Sequence, residues 1–384
     1  MPMVAFFPWA VQEETLVVGE FTIAPFGAAV LLMPPGHATA VREVVAAYDK
    51  TDDDLIARVP ILFRTATGPT DDVADEDVGA LFLVGEMVAC AALASRQFFM
   101  HAYWNRDSFH FVVQGFRPDR PGGALITSRR RDGAAPSYVP AKHYRVPRPF
   151  HVGQGRMEDL DRPLLDALVE ARDDARVAQL HDAVRGFNAA NTDSPTISQE
   201  TELVLLVGAY SRLCDVWDKD GTAAAVRDLL DRAPAWPGSM PGTKWEHAPL
   251  KDRMAKSRNP SRVYEWMADA YLLRGQFAHG RGQSPYKGAW GLRDHLLLGT
   301  YLFPLAVKAW LGRSGRYTLS PTELMRISAF DALSSCDHFV GDEGGGEGDE
   351  HRRPSDFPWV RVIQSIPIQL FVSGLMPPAA HRTE

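Results

Sequence analysis

The chain has 384 residues, 45% of them hydrophobic and 23% charged, a composition typical of a folded globular protein with room for two or three domains. The net charge of −7 argues against a protein that coats nucleic acid without selectivity, and three cysteines are too few and too scattered for a disulfide framework or a zinc cluster. Neither an uninterrupted apolar run of about 18 residues nor a basic leader before an apolar run is present, so a cytoplasmic location without a membrane partner is expected.

The first part of the chain, residues 1–150, is predicted to form a mixed α/β domain. Short β-rich apolar segments alternate there with segments of helical periodicity, and prolines and glycines separate them. The predicted strands are 17–23, 28–33, 61–67, 109–116 and 124–128. The predicted helices are 37–48 and 76–96. Residues 117–150, rich in proline, glycine and basic side chains, are predicted to be a long loop or linker.

The second part, residues 156–384, is predicted to be all-helical, so the fold class as a whole is α+β. A charged helix over 157–185 is followed by apolar or amphipathic helices. These are predicted at 197–217, 222–232, 263–279, 291–312, 320–335 and 357–375. Ser320 and Glu323 form a capping-box pattern, with proline at the first helical position. Residues 341–355, rich in glycine and acids, are predicted to be a mobile loop.

The most informative segment is residues 271–280, which read Tyr-Leu-Leu-Arg-Gly-Gln-Phe-Ala-His-Gly. Arg274 falls on the apolar stripe of this helix and is predicted to point toward the packed side. The same Arg-x4-His spacing occurs at Arg96 and at Arg176, but these copies are attributed to chance. Only the Arg274 copy ends an apolar-faced helix at a glycine, where a C-terminal cap is expected.

The Tyr-x-x-Arg-x-x-x-x-His-Gly helix, together with the apolar helix at 203–214 and the helices after the motif, resembles the HEPN superfamily. The resemblance covers roughly residues 195–374 and is strongest with domains of bacterial antiviral and toxin proteins. It implies an all-α bundle in which two subunits pair their motif helices, and an N-terminal domain that senses or regulates. The residue after the arginine is usually polar in that family, and here it is Gly275.

The residues of the motif suit RNA cleavage without a metal or cofactor, because RNA supplies its own 2′-hydroxyl nucleophile. Arg274 and His279 are the predicted catalytic residues, the first as a cation for the phosphate charge and the second as general acid or base. Gln276, Arg258 and Arg281 are predicted to bind substrate. Residues 251–294 carry nine basic and four acidic side chains, so the motif lies in a basic part of an acidic chain that would attract a phosphate backbone.

Two functions of different class follow. The first is a metal-independent endoribonuclease that acts in bacterial stress or phage defence, with RNA as substrate and a homodimer formed through residues 260–312. A protein or a phage-derived molecule is the candidate trigger. The second is a non-catalytic HEPN-type module for dimerisation or partner binding, with recognition by the N-terminal domain. A capping role for Arg274 and His279 at the helix end is the alternative to any site.

Overall fold

The computed structural model describes residues 2–48, 53–70, 75–100, 103–119, 125–129, 133–137, 145–172, 174, 178–238, 261–279, 288–336 and 357–375. The fold is α+β, with a small antiparallel sheet and many helices. The chain forms two compact units. The first comprises residues 1–96, 104–173 and 192–195, and therefore extends past the predicted residue 150. The second comprises residues 97–103, 174–191 and 196–384.

The first unit is built on a five-stranded antiparallel sheet. Its strands are β1 (Met3–Phe6), β3 (Leu16–Val18), β4 (Phe21–Pro25), β5 (Pro60–Arg64) and β6 (Val112–Gly115). Their order in the sheet is β3-β4-β5-β1-β6, so β1 lies between β5 and β6. Two further pairs lie outside this sheet: β2 (Ala10–Val11) with β9 (Gly155–Arg156), and β7 (Leu125–Arg129) with β8 (Gly133–Ser137).

Five α-helices belong to the described part of this unit. They are α1 (Phe26–Ala29), α2 (His37–Ala46), α3 (Asp53–Ala57), α4 (Asp75–Ser95) and α5 (Arg162–Ala171). Val4 and Phe6 share a buried core with Val41 and Val44 of α2. On α4, a Cβ at Gly85 would lie 2.7 Å from the Phe111 ring, so only glycine allows this close approach.

The α4 helix is the only described helix long and apolar enough to cross a membrane by length and composition. The qualifying segment is Asp77–Ser95, and 61% of it is buried inside the structure. Helix α4 thus lies largely in the core of the first unit.

Several local predictions for the first unit are confirmed, and others are wrong. The helix at 37–48 and the apolar helix at 76–96 are confirmed as α2 and α4. Residues 28–33, predicted as a strand, belong instead to α1 and to a 3₁₀ turn at Val30–Leu32. Burial explains the difference: Phe26 and Ala29, three residues apart, are buried. The predicted linker at 117–150 contains the hairpin of β7 and β8.

The second unit is all-helical over its described residues. Its helices are α6 (Ala178–Ala189), α7 (Gln199–Cys214), α8 (Lys219–Leu230), α9 (Arg262–His279), α10 (Leu292–Arg313), α11 (Pro321–Leu333) and α12 (Pro358–Val372). The single charged helix predicted over 157–185 is wrong, since α5 and α6 are separate helices. Asp161 caps α5 and Pro163 stands in its first turn, where proline begins a helix rather than continuing one. The predicted loop at 341–355 lies outside the described residues.

Aromatic and small residues pack the centre of this unit. Phe187 of α6 stacks on Phe303 of α10, with ring centroids 4.4 Å apart. The Tyr210 hydroxyl donates a hydrogen bond to the Gly299 carbonyl at 2.8 Å. A Cβ at Gly299 would lie 2.6 Å from Leu206 Cδ2, so glycine is required where α7 and α10 touch. Trp266 of α9 packs against both Tyr210 and Gly299, so these contacts also position the motif helix.

A buried ion pair joins α10 to α11. Lys308, 3% exposed, donates a hydrogen bond to Glu323, which is 8% exposed. Glu323 also accepts from the Tyr317 hydroxyl at 2.7 Å and from the Ser320 backbone N–H at 2.7 Å. The predicted capping box at Ser320 is confirmed by that last bond and by the return bond from the Glu323 N–H to the Ser320 hydroxyl.

Candidate functional site

The motif helix α9 is anchored by its first half. Val263, Trp266, Met267 and Ala270 are buried at the predicted three-and-four spacing, and they place the helix in the core of the second unit. After the buried Leu273 the helix leaves this core, since residues 274–277 are only partly buried and Ala278 and His279 are exposed. The buried apolar residues therefore anchor the N-terminal half of α9, and its C-terminal end extends to the surface.

Arg274 lies where the helix emerges. The residue is half-buried, and its guanidinium carbon lies 5.4 Å from the centre of the Tyr271 ring, a cation–π distance. Its Nε is buried and has no hydrogen-bond partner, and within the described part of the chain no carboxylate pairs with it. A guanidinium held in this way keeps its positive charge available to an anionic group.

His279 is the last residue of α9 and is exposed. It lies five positions after Arg274, which corresponds to about 140° around the helix axis and roughly 7.5 Å along it. Gln276 is half-buried between them. Arg258 and Arg281, the other two predicted substrate-binding residues, lie outside the described residues. The structure thus brings Arg274, Gln276 and His279 to one helix end.

Gly275, between Arg274 and Gln276, has open space where a side chain would be. A Cβ built there would meet no atom within 4 Å, and the backbone has ordinary helical geometry. Gly275 is four residues before His279 and shares its face of the helix. The position could therefore carry the polar side chain that the HEPN resemblance implies.

We expect Gly275→Ala to raise the free energy of unfolding by about 1 kcal/mol, because glycine costs a helix backbone entropy that alanine does not. Urea unfolding followed by circular dichroism measures the change. Gly299→Ala is the matched control, and it should destabilise the protein because its Cβ would overlap Leu206. Equal changes in the free energy of unfolding for the two substitutions would contradict this explanation, which depends on the space around each glycine.

An aromatic and basic surface that was not predicted from the sequence lies near Tyr271, the residue on which Arg274 packs. Trp217, in the loop between α7 and α8, is 56% exposed. Its carbonyl accepts a hydrogen bond from the Tyr271 hydroxyl, and the guanidinium carbon of Arg212 lies 5.6 Å from the centre of its ring. A tryptophan just after a helix end and flanked by Val216 and Asp218 was the available sequence signal.

A buried histidine–aspartate pair was also missed. Nε2 of His295 lies 3.1 Å from Oδ2 of Asp269, and both side chains are 0% exposed. The Ala289 N–H donates to the same carboxylate oxygen at 3.1 Å. The pair joins α9 to the start of α10, and its burial excludes direct contact with a substrate. We assign it a structural role.

The first unit holds a separate polar cluster. Arg106 pairs with Glu86 at 3.0 Å and with Asp107 at 3.2 Å, and Nε2 of His151 lies 3.1 Å from Asp107. His110 stacks on Trp9 with ring centroids 5.2 Å apart, and its Nδ1 is 3.4 Å from Arg106. Burial, and then the charge of Arg106, lower the pKa of His110.

The stability of the protein should therefore fall as the pH drops below the ordinary histidine pKa of 6.5. The folded state resists protonation of His110, whereas the unfolded chain binds the proton readily, so stability is full above that pH and declines below it. His110→Phe keeps a ring against Trp9 but cannot titrate. Urea unfolding at several pH values from about 5 to 8 should show a smaller acid loss for His110→Phe; equal losses would exclude His110 as the source.

The neighbouring residues of the first unit serve packing rather than base stacking. Trp104 is buried, and its indole N–H donates to the Ala92 carbonyl at 2.7 Å. Asn105 is buried and caps the 3₁₀ turn at Arg106–Phe109 by accepting from the Ser108 N–H. Both side chains are thus used for core packing and neither is exposed to stack against a base.

Within the part of the chain that the structure describes, no group of three or more histidine, cysteine, aspartate or glutamate side chains is placed to hold a metal ion. The three cysteines all lie in the described residues and form no disulfide bond. Burial raises the pKa of the Cys214 thiol to about 11.

Comparison of the chain with family models, with curated proteins and with solved structures found no match.

Proposed function

We propose that the protein is a metal-independent endoribonuclease whose second unit is a HEPN-like helical bundle with its site at the end of α9. One observation carries the proposal. The Arg274 guanidinium is held against Tyr271 without a carboxylate partner in the described chain, on the same helix end as the exposed His279. A fixed cation and a nearby imidazole are the two groups that cleavage of an RNA phosphodiester requires.

In the proposed reaction the RNA 2′-oxygen attacks the adjacent phosphorus and the bond to the 5′-oxygen breaks. His279 acts as general acid or base, moving a proton from the 2′-hydroxyl or to the leaving oxygen. Arg274 donates hydrogen bonds to the phosphate oxygens as negative charge builds on them. The products are a 2′,3′-cyclic phosphate end and a 5′-hydroxyl end.

The direct test is cleavage of an unstructured RNA in EDTA by the purified full-length protein. We expect cleavage with cyclic phosphate ends, identified by mass spectrometry. Products with 3′-hydroxyl ends, or cleavage that EDTA abolishes, would overturn the proposed chemistry.

A homodimer is part of the proposal, since two motif helices bracket a phosphate better than one. Leu272, on α9 beside the motif, is 38% exposed and supports contact between two copies. Light scattering at micromolar concentration should give a dimer, and Leu272→Glu should shift it toward monomer and reduce cleavage. A wild-type monomer that cleaves RNA would contradict the paired site.

A second candidate is a binding module without catalysis. The outer face of α12 favours it, because Ile368, Phe371 and Val372 are each more than 60% exposed and lie at helical spacing. Overproduction in a bacterial host separates the two functions. A nuclease should slow growth and Arg274→Ala should relieve the effect, whereas a binding module should be harmless in both forms.

A further inference from the structure

The loop between α7 and α8 presents Trp217 to solvent on a rigid backbone. Its preceding residue is held on both sides: the Val216 N–H donates to the Ser211 carbonyl at 3.0 Å, and its carbonyl accepts from Thr222 Oγ1 at 3.0 Å. The Trp217 carbonyl accepts the bond from Tyr271. The side chain nevertheless remains 56% exposed. A large aromatic ring fixed in place but left in water is suited to stacking against a planar ligand.

A cation lies against this ring. The Arg212 guanidinium carbon is 5.6 Å from the ring centre, and no carboxylate among the described residues pairs with it. The Arg212 guanidinium occupies part of the ring surface. A ligand would therefore stack on the part of the Trp217 ring that remains exposed to solvent. The arginine also supplies a positive charge next to that surface.

Trp217 is linked to the proposed cleavage site through Tyr271. Tyr271 connects the two, since its hydroxyl binds the Trp217 carbonyl and its ring contacts Arg274 at 5.4 Å. Each of the two aromatic rings thus has an arginine against it, and one hydrogen bond joins the two aromatic residues.

Two nearby carboxylates are already engaged. Asp218 accepts from the Gly221 N–H at 2.7 Å, and Asp220 binds Lys219 and the Tyr264 hydroxyl. Lys219 offsets the charge of Asp220, whereas Asp215 and Asp218, both exposed, keep their negative charge within two residues of Trp217.

We propose that Trp217 and Arg212 form a subsite for an unpaired nucleobase of the RNA strand whose phosphate contacts Arg274. This inference rests on the proposed function, which identifies the bound strand as RNA. It also predicts a single-stranded substrate, because a base within a duplex has no free face for stacking. Each base stacked on an aromatic ring strengthens binding by a factor of roughly 10 to 100.

The test measures binding separately from cleavage. The probe is a fluorescein-labelled 2′-O-methyl oligoadenylate, whose blocked 2′-oxygen cannot attack the phosphate, with the full-length protein and fluorescence anisotropy as the readout. We expect Trp217→Ala to weaken binding by roughly 10- to 100-fold and Trp217→Phe to retain most of it. Phe150→Ala, at an exposed aromatic ring of the first unit, is the matched control and should leave affinity unchanged. A duplex of the same length should bind more weakly than the single strand.

The outcomes separate the two proposals. If the protein cleaves RNA but Trp217→Ala binds the probe as tightly as the wild type, the subsite is overturned and the nuclease stands. If binding depends on Trp217 but the wild type cleaves no RNA, the subsite stands and the nuclease is overturned. If the wild-type protein does not bind the probe, the subsite is overturned, and the cleavage assay alone then decides the nuclease.

Discussion

We expect His279→Ala to lower the rate of RNA cleavage by about 10²–10⁴-fold, the usual contribution of a positioned general acid or base. Arg274→Ala should lower it by about 10²–10³-fold, because the phosphate charge would lose its fixed hydrogen-bond donor. Arg274→Lys should fall between the wild type and Arg274→Ala, since lysine keeps the charge but cannot fork two bonds onto a phosphate. Initial rates on an unstructured RNA in EDTA measure all three.

The control for these variants is Arg185→Ala on α6. Arg185 is 52% exposed on its side chain and pairs only at the surface, 3.6 Å from Asp182, so its loss should leave the rate unchanged. His279 is exposed at a helix end, and its replacement should not unfold the protein. Circular dichroism and a thermal melt check this. Full activity in both His279→Ala and Arg274→Ala would overturn the proposed site.

The second large effect concerns stability. We expect Glu323→Gln to lower the free energy of unfolding by about 3–5 kcal/mol, because it removes the carboxylate that faces the buried Lys308 ammonium. The double variant Lys308→Met/Glu323→Leu should lose much less, since two apolar side chains carry no charge into the interior. Urea unfolding followed by circular dichroism gives both values. A double variant as unstable as the single one would show that the pair itself stabilises the bundle.

The same pair predicts a pH dependence. Burial raises the pKa of Glu323, but the charge of Lys308 and the hydrogen bonds to the carboxylate outweigh it, so the pKa lies below its ordinary value of 4.5. The contribution of Glu323 to stability is therefore fully present above pH 4.5 and is lost as the pH falls through the lower, folded-state pKa. The double variant Lys308→Met/Glu323→Leu should therefore lose less stability in acid than the wild type. If the free energy of unfolding changed with pH in the same way in both proteins, Glu323 would not be the source of the loss.

Many helices could be located from sequence because their signals are local. The three-and-four spacing of α9 predicts its buried face, and the Ser320 capping box predicts the start of α11. Asp161 and Pro163 likewise mark the start of α5, inside the segment predicted as one helix over 157–185. These signals involve residues within one or two turns of each other, so the sequence order alone contains them.

The sheet could be predicted only in part. β1 lies between β5 and β6, yet it contains just four residues, and no strand was predicted there. Its identity as a strand comes from partners some 55 and 110 residues away, as in the pairs Phe6 with Ile61 and Val4 with Gln114. The helical assignment of residues 26–32 likewise depends on which side chains are buried by other segments.

For the candidate site, the sequence by itself determined the residue types and their spacing: an arginine and a histidine five residues apart at the end of an amphipathic helix. Only the tertiary structure decided that Arg274 rests on Tyr271, that no carboxylate pairs with it among the described residues, and that Trp217 stands beside it in solvent. Spacing along a helix follows from its fixed geometry, whereas exposure and charge pairing depend on residues that folding brings together from distant parts of the chain.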